Sequence, residues 1–444
     1  MAAFLAGIIA GAAFAQEPSG PPPGDEQGPP PGGDQDGPPR PPPGSRGPFR
    51  LSGAYTLDDG TSRAEAGRSY ASAASDVSAV FVSGKSSLKL ARATVSKTGD
   101  TSSEENSSFH GLNAAVLAAK GGTIAIEDGV INAHAEGANG AFATGSGSSV
   151  TLARVRIDAS GGGAHGVMVS GGGAMTLTDV EMRTTGAHGA AMATDRGGGT
   201  ILVNGGSAVT GGQGSPAFYS TGTIAVTGGT YAATGSEAAV IEGSNSIRLH
   251  GTEVSGAKLC GVMIYQSFSG DAEGRCGTFT MEGGMLTALV GPAFYVTNTT
   301  GVINLTGAKV SAHSGTLVKV AAGRWGRRGA NGGSAALTAR REILNGDLLC
   351  DEISSITAAF QEGTQFTGRI SRAALTIDGT SHWYVAADSI LTSLTDPDGL
   401  KDSAFTNIHG NGHTVRYDAK LISNRWLGGK SYKLADGGDL IPIQ

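Results

Sequence analysis

Beyond residue 80 the chain repeats itself about every 25 residues, and that period limits its fold more than any other feature. Apolar-x-apolar triplets open each repeat: Leu88-Lys89-Leu90, Ile124-Ala125-Ile126, Val150-Thr151-Leu152, Met175-Thr176-Leu177 and Ile201-Leu202-Val203. They continue at Ile224-Ala225-Val226, Ile247-Arg248-Leu249, Phe279-Thr280-Met281 and Ile303-Asn304-Leu305. From Ile124 onward the spacings are 26, 25, 26, 23, 23, 32 and 24. A fixed period of this length marks a solenoid, whose units are too small to bury an apolar face alone and must stack on their neighbours.

Glycine decides what the units are made of. The 73 glycines suit short strands and tight turns; each would cost about 1 kcal/mol relative to alanine inside a helix. After each triplet comes a turn and a second apolar stretch, as in Val130-Ile131, Val155-Arg156-Ile157, Val180-Glu181-Met182 and Val254. A third strand then recurs as GAFATG (140–145), GVMVSG (166–171), AAMATD (190–195), PAFYST (216–221), AAVIEG (238–243), GVMIYQ (261–266) and PAFYVT (292–297). The predicted fold is all-β: a right-handed parallel β-helix solenoid with three strands per roughly 25-residue coil and a capping C-terminal region. Leucine-rich repeats are the competitor, but their Asn ladder and helical return segment are missing. About eight or nine coils are expected from the stacking of the repeats. The 32-residue step carries an insertion at Gln266–Gly277.

The expected domains are a signal peptide at 1–15, a Pro/Gly-rich linker at 16–49, the β-helix at 50–334 and the terminal coils and cap at 335–444. Residues 50–80 would close the N-terminal end. The first segment is small and apolar and ends in Ala13-Phe14-Ala15, a cleavage signature, although no Lys or Arg precedes it. The second holds 13 of the 17 prolines, which makes a stiff extended linker. Export permits disulfides, so Cys260 and Cys276, flanking one loop, are expected to pair and to leave Cys350 free; three buried thiols are the alternative. No C-x-x-C is present, so no metal site is expected.

The repeats resemble the pectate-lyase-like superfamily of right-handed β-helices, over about residues 80–420. That superfamily includes lyases, hydrolases and bacterial adhesins. Ser381-His382-Trp383-Tyr384-Val385 with Asp388-Ser389-Ile390-Leu391 is similar to the stretch closing the β-helix in autotransporter passengers and adhesin-like exoproteins. The resemblance implies a secreted or cell-surface protein, acting either as an adhesin or on extracellular glycans.

Chemistry is sparse along the repeats. Hydrolases of this shape carry an N-T-D motif, an Asp pair, G-H-G and R-x-K; here only His165-Gly166 and His188-Gly189 come near the third. Asn139, Ser215, Glu237 and Cys260 fill what reads as the same slot, so a turn ladder is the simpler reading. Asp195 and Glu242 are the only candidates for catalytic acids, because stacked coils would place them two coils, about 10 Å, apart; solvated charges at strand ends are the simpler reading. Asp195, Arg196, Glu242 and Asp271 are the candidate binding residues. No cofactor is expected.

Net charge is −6 and the folded region shows no basic run, so nucleic acid is not an expected partner. An extracellular glycan or surface protein is. The third strand is apolar on both faces, with Phe142, Met168, Met192, Phe218, Val240, Met263 and Phe294 read as one column. Ala143, Val169, Ala193, Tyr219, Ile241, Ile264 and Tyr295 are read as the other. Successive side chains alternate faces, so one column must point outward. It is expected either to be covered by a flanking segment or to serve binding or self-association.

Overall fold

The computed structural model describes residues 49–443, apart from 268–271 and 273. The chain divides into units 1–40 and 41–444, and the described residues belong to the second. The expected signal peptide, nearly all of the linker, and Asp271 lie outside the described residues.

The second unit is a parallel β-solenoid of about 15 turns, more than the eight or nine expected. One coil shows the plan: a first strand at Ser149–Ala153, a second at Arg156–Ser160 and a third at Val167–Ser170. Each pairs in parallel with its counterparts in the adjacent coils. Val150 faces Ile124 and Met175, Ile157 faces Ile131 and Met182, and Val167 faces Ala141 and Met192. All nine triplets share one register, from Leu88 to Ile303. The core is therefore a set of stacked apolar columns, with Leu88, Val150, Leu152, Val167, Phe218, Phe279 and Ile303 fully buried.

The turn after each first strand explains where glycine is needed. The first turn position of each coil adopts a left-handed backbone: Asp128, Arg154 and Asp179, then Gly205, Gly228, Gly251, Gly283 and Gly307, with Gly206, Gly229 and Gly284 following in the same region. Its N–H donates to the coil above, as Asp128 does to the Ala153 carbonyl (3.0 Å) and Gly228 to that of His250 (2.8 Å). This pairs a donor that the turn would otherwise leave unsatisfied.

The two ends are built differently. Residues 53–72 stack as a complete coil rather than as a separate plug. Its inward columns turn polar, however. Arg63 and Glu65 take the positions of Leu88 and Leu90, and Glu65 accepts from the Tyr55 (3.0 Å) and Tyr70 (2.9 Å) hydroxyls. At the other end, coils continue to strand Asp439–Ile443. A 3-10 helix at Ile422–Leu427 packs on the strand Ser389–Thr395, and the Trp426 indole N–H donates to the Leu394 carbonyl (2.8 Å).

The second sheet stops early. Its ten strands end at Lys309–Ala312, and the equivalent second strand of the next coil, Ile343–Asn345, pairs onward with Gln365–Gly368 instead. The buried Glu342 lies at the break. Its Oε1 accepts from the Ala308 N–H (2.8 Å), and its Oε2 has no partner among the described residues. A groove of about 390 Å³ follows the seam, lined by Met285, Lys309, Arg341 and Ile343 among others.

Two sequence expectations are corrected. The outward column is Phe142, Met168, Ala193, Tyr219, Val240, Met263 and Tyr295. Met192 and Phe218 point inward with Val167, because Met192 pairs with Val167 and not with Met168, and Phe294 points inward because it pairs with Val262 and not with Met263. A slip of one residue exchanges faces. The expected Cys260–Cys276 bridge is not formed: both are free thiols, Cys260 buried and Cys276 exposed. Cys260 precedes the third strand Val262–Tyr265, whereas Cys276 opens the next first strand, so a whole strand separates them.

Candidate functional site

Between residues 80 and 334 three long departures leave the coil, at about 98–113, 266–275 and 321–333. Among their described residues, all three meet the outer face of the stack of third strands, which forms the third sheet face of the solenoid. The middle one is the insertion expected at Gln266–Gly277. The others were visible as a 36-residue step from Leu88 to Ile124 and a 34-residue step from Ile303 to Leu337.

The first departure forms helix α1 (Glu104–His110). The Ser103 side chain accepts from the Asn106 N–H, and Gly111 closes the helix in a left-handed conformation. The segment covers the outward apolar column: Phe81, Leu117, Phe142 and Met168 form a separate buried cluster beneath it. Two contacts clamp it down. The Ser170 hydroxyl donates to the Phe109 carbonyl (2.7 Å), and the Arg196 guanidinium lies 3.7 Å over the Phe109 ring. Arg196 also reaches Glu105 at 3.8 Å. The predicted binding residue Arg196 therefore holds the helix to the sheet.

The predicted acids occupy different settings. Asp195 is half-buried and accepts from the Arg196 N–H (2.6 Å) in the strand-exit turn. Register places it in the column of Glu242, two coils away. Glu242 is only 1% exposed. Its Oε2 accepts from the Tyr219 (2.7 Å) and Tyr265 (2.9 Å) hydroxyls, and its Oε1 accepts from the Ser267 N–H (3.3 Å) and hydroxyl. Burial, reinforced by nearby charge, pushes both phenols well above their usual range, so they stay protonated and donate. Glu242 thereby ties the start of the second departure to the sheet. A carboxylate so buried and so fully engaged is an anchor, with no face open to a glycan.

The third departure brings cations that no repeat position marks in the sequence. Lys319, Arg324, Arg327 and Arg328 are exposed on and just beyond the third strand Thr316–Val320. Trp325 lies beside them, 5.6 Å from the Tyr265 ring, with the Arg324 guanidinium 4.5 Å over it. The Asn331 amide braces the loop by donating to the Gly323 (2.7 Å) and Trp325 (3.0 Å) carbonyls. Beneath it Thr297 Oγ1, Thr299 Oγ1 and Asn331 Oδ1 are buried without partners among the described residues.

The histidine slot is a turn ladder. Asn139 Oδ1 accepts from the His165 N–H (3.1 Å), and His165 Nδ1 accepts from the Ala190 N–H (3.0 Å). Ser215 Oγ accepts from the Gly189 N–H (2.9 Å). His165 is buried, and burial followed by the nearby His188 pushes its pKa down to about 4. His188 is two residues out of register with it and exposed. A second cluster escaped sequence reading because its members lie 27 residues apart. His409 Nδ1 bonds Asp436 (2.6 Å), and its Nε2 lies 3.1 Å from His382 Nδ1. Among the described residues no group of three or more His, Cys, Asp or Glu could hold a metal ion, and no helix is long and apolar enough to cross a membrane. No family model, curated protein or solved structure matches this chain.

Proposed function

We propose that this is a secreted or cell-surface β-helix protein with an adhesin-like role, binding an extracellular glycan or surface protein without turning it over. One observation carries the reading: the departures from the coil converge on one face, the outer face of the third sheet. Loops on a rigid scaffold are where binding residues concentrate. The similarity of Ser381–Val385 to adhesin-like exoproteins supports the same reading, as does the apolar segment ending in Ala13-Phe14-Ala15. The rival is a polysaccharide lyase or glycoside hydrolase using Asp195 and Glu242. Their shared column favours it, and the burial of Glu242 weighs against it.

Purified protein should be retained on a glycan array or on cell surfaces and should release no reducing ends or unsaturated products from neutral and acidic polysaccharides. Robust turnover that Asp195→Ala or Glu242→Gln abolishes would establish the enzyme reading instead. Expression with the leader intact should yield exported protein that starts at Gln16, read by N-terminal sequencing.

A further inference from the structure

We propose that the exit edge of the third sheet, residues 319–328, docks glycans that carry sulfate or phosphate esters. The inference rests on the glycan-binding reading above and narrows it to a ligand class.

The first support is charge without a partner. Lys319, Arg324, Arg327 and Arg328 fall within ten residues of a chain whose net charge is −6. Among the described residues none of the four has an ion-pair partner, whereas Arg63, Arg154, Arg248, Arg341 and Arg369 each hold a carboxylate. The nearby Asp351 spends its oxygens on backbone, accepting from the Ala322 (2.7 Å) and Ile353 (3.2 Å) N–H groups. It thus shapes the loop and leaves the guanidinium groups facing solvent.

The second support is geometry. Asp351 and the two carbonyl contacts of Asn331 fix the loop backbone, so little ordering remains to be lost on binding. The half-buried rings of Trp325, Tyr265 and Tyr295 lie among the cations, with Lys319 Nζ 5.9 Å from the Tyr295 ring. Rings of this kind present an apolar face, on which a sugar ring can rest, beside polar groups.

Ligand class follows from counting acceptors. A carboxylate offers two oxygens, which one guanidinium fork can satisfy. A sulfate or phosphate ester offers three terminal oxygens and can accept from several forks at once. Arginine, more than lysine, is suited to such planar, two-pronged recognition. Four neighbouring cations therefore fit an ester-borne oxyanion better than a uronate.

The test uses the full chain and one polymer backbone in several forms: dextran sulfate, phosphorylated dextran, plain dextran and, separately, polygalacturonate. Sulfated or phosphorylated dextran should bind at least tenfold more tightly than plain dextran or polygalacturonate, and the two ester arms show which source is preferred. Affinity should fall steeply with salt, since exposed charges are screened over roughly 10 Å at 0.1 M. Arg324→Ala/Arg327→Ala/Arg328→Ala should lose at least tenfold in affinity at an unchanged melting temperature. The triple lysine variant should lose affinity partly, because it keeps charge without the fork. Undiminished binding by the triple alanine variant overturns the inference, as does equal affinity for polygalacturonate or single-stranded DNA. Equal retention on plain dextran overturns the ligand class but leaves the glycan-binding reading standing. Retention on none of the glycans overturns both.

Discussion

Two buried titratable residues pull stability in opposite directions as pH changes. His165 is held neutral by burial, with a folded pKa of about 4 against 6.5 when exposed. Between those values the unfolded chain binds more protons, so the contribution of His165 is lost as pH falls from 6.5 toward 4. Glu342 behaves oppositely. Burial raises its pKa from 4.5 to about 7, so the folded chain binds more protons and its contribution is lost as pH rises through that window. Each shift corresponds to about 3 kcal/mol at most, and over their common range the two largely offset one another. Glu342→Gln should therefore expose the histidine's dependence, giving a melting temperature that falls more steeply than wild type on acidification from pH 7 to 5. His165→Asn should do the reverse, since an amide oxygen can still accept from Ala190 as Asn139 does from His165. Parallel pH profiles for wild type and both variants would contradict this assignment.

At the scale of the element, the left-handed turn column separates two kinds of glycine that look identical in sequence. Gly283 has a φ of +63°, and a Cβ there would meet nothing within 4 Å. Asp128, Arg154 and Asp179 already fill the equivalent position in other coils. Its neighbour Gly284 has a φ of +75°, and a Cβ there would lie 2.2 Å from the Thr252 carbonyl oxygen of the coil below. Gly283→Asn should change stability by no more than about 0.5 kcal/mol, whereas Gly284→Ala should cost about 2 kcal/mol or more. Chemical denaturation of the two variants side by side measures the difference. The contrast also marks the limit of sequence reading. A Gly-Gly pair signals a turn, but the clash depends on a carbonyl 32 residues away that only the stacking brings near.

At the scale of the molecule, the question is why the solenoid ends. A bare parallel coil offers three unpaired strand edges, and edges invite further pairing. The first coil answers with charge at inward positions. Arg63 and Glu65 stand where the next coil has Leu88 and Leu90, and Glu65 is committed to the Tyr55 and Tyr70 hydroxyls. Inward-pointing charge is a recognised guard against edge pairing. Arg63→Leu/Glu65→Leu should extend the apolar columns to the open end and produce concentration-dependent association in sedimentation velocity. A variant that remains at the wild-type sedimentation coefficient across concentrations would show that the polar end does not limit assembly.

The strand repeat was legible in the sequence because stacking copies one pattern into every coil. Nine triplets written 23 to 36 residues apart share a single register. Local alternation and a steady period carry that information without any knowledge of distant contacts. The third strand was legible only to within one residue. Apolar side chains on both of its faces remove the alternation that would fix its register, and pairing of Met192 with Val167 decided it. Burial of Glu242 under two phenols, the clamp of Arg196 on Phe109 and the gathering of three departures on one face were decided by tertiary structure alone. Each depends on side chains separated by at least a coil, and a one-dimensional repeat does not record which of its faces receives the segments that leave it.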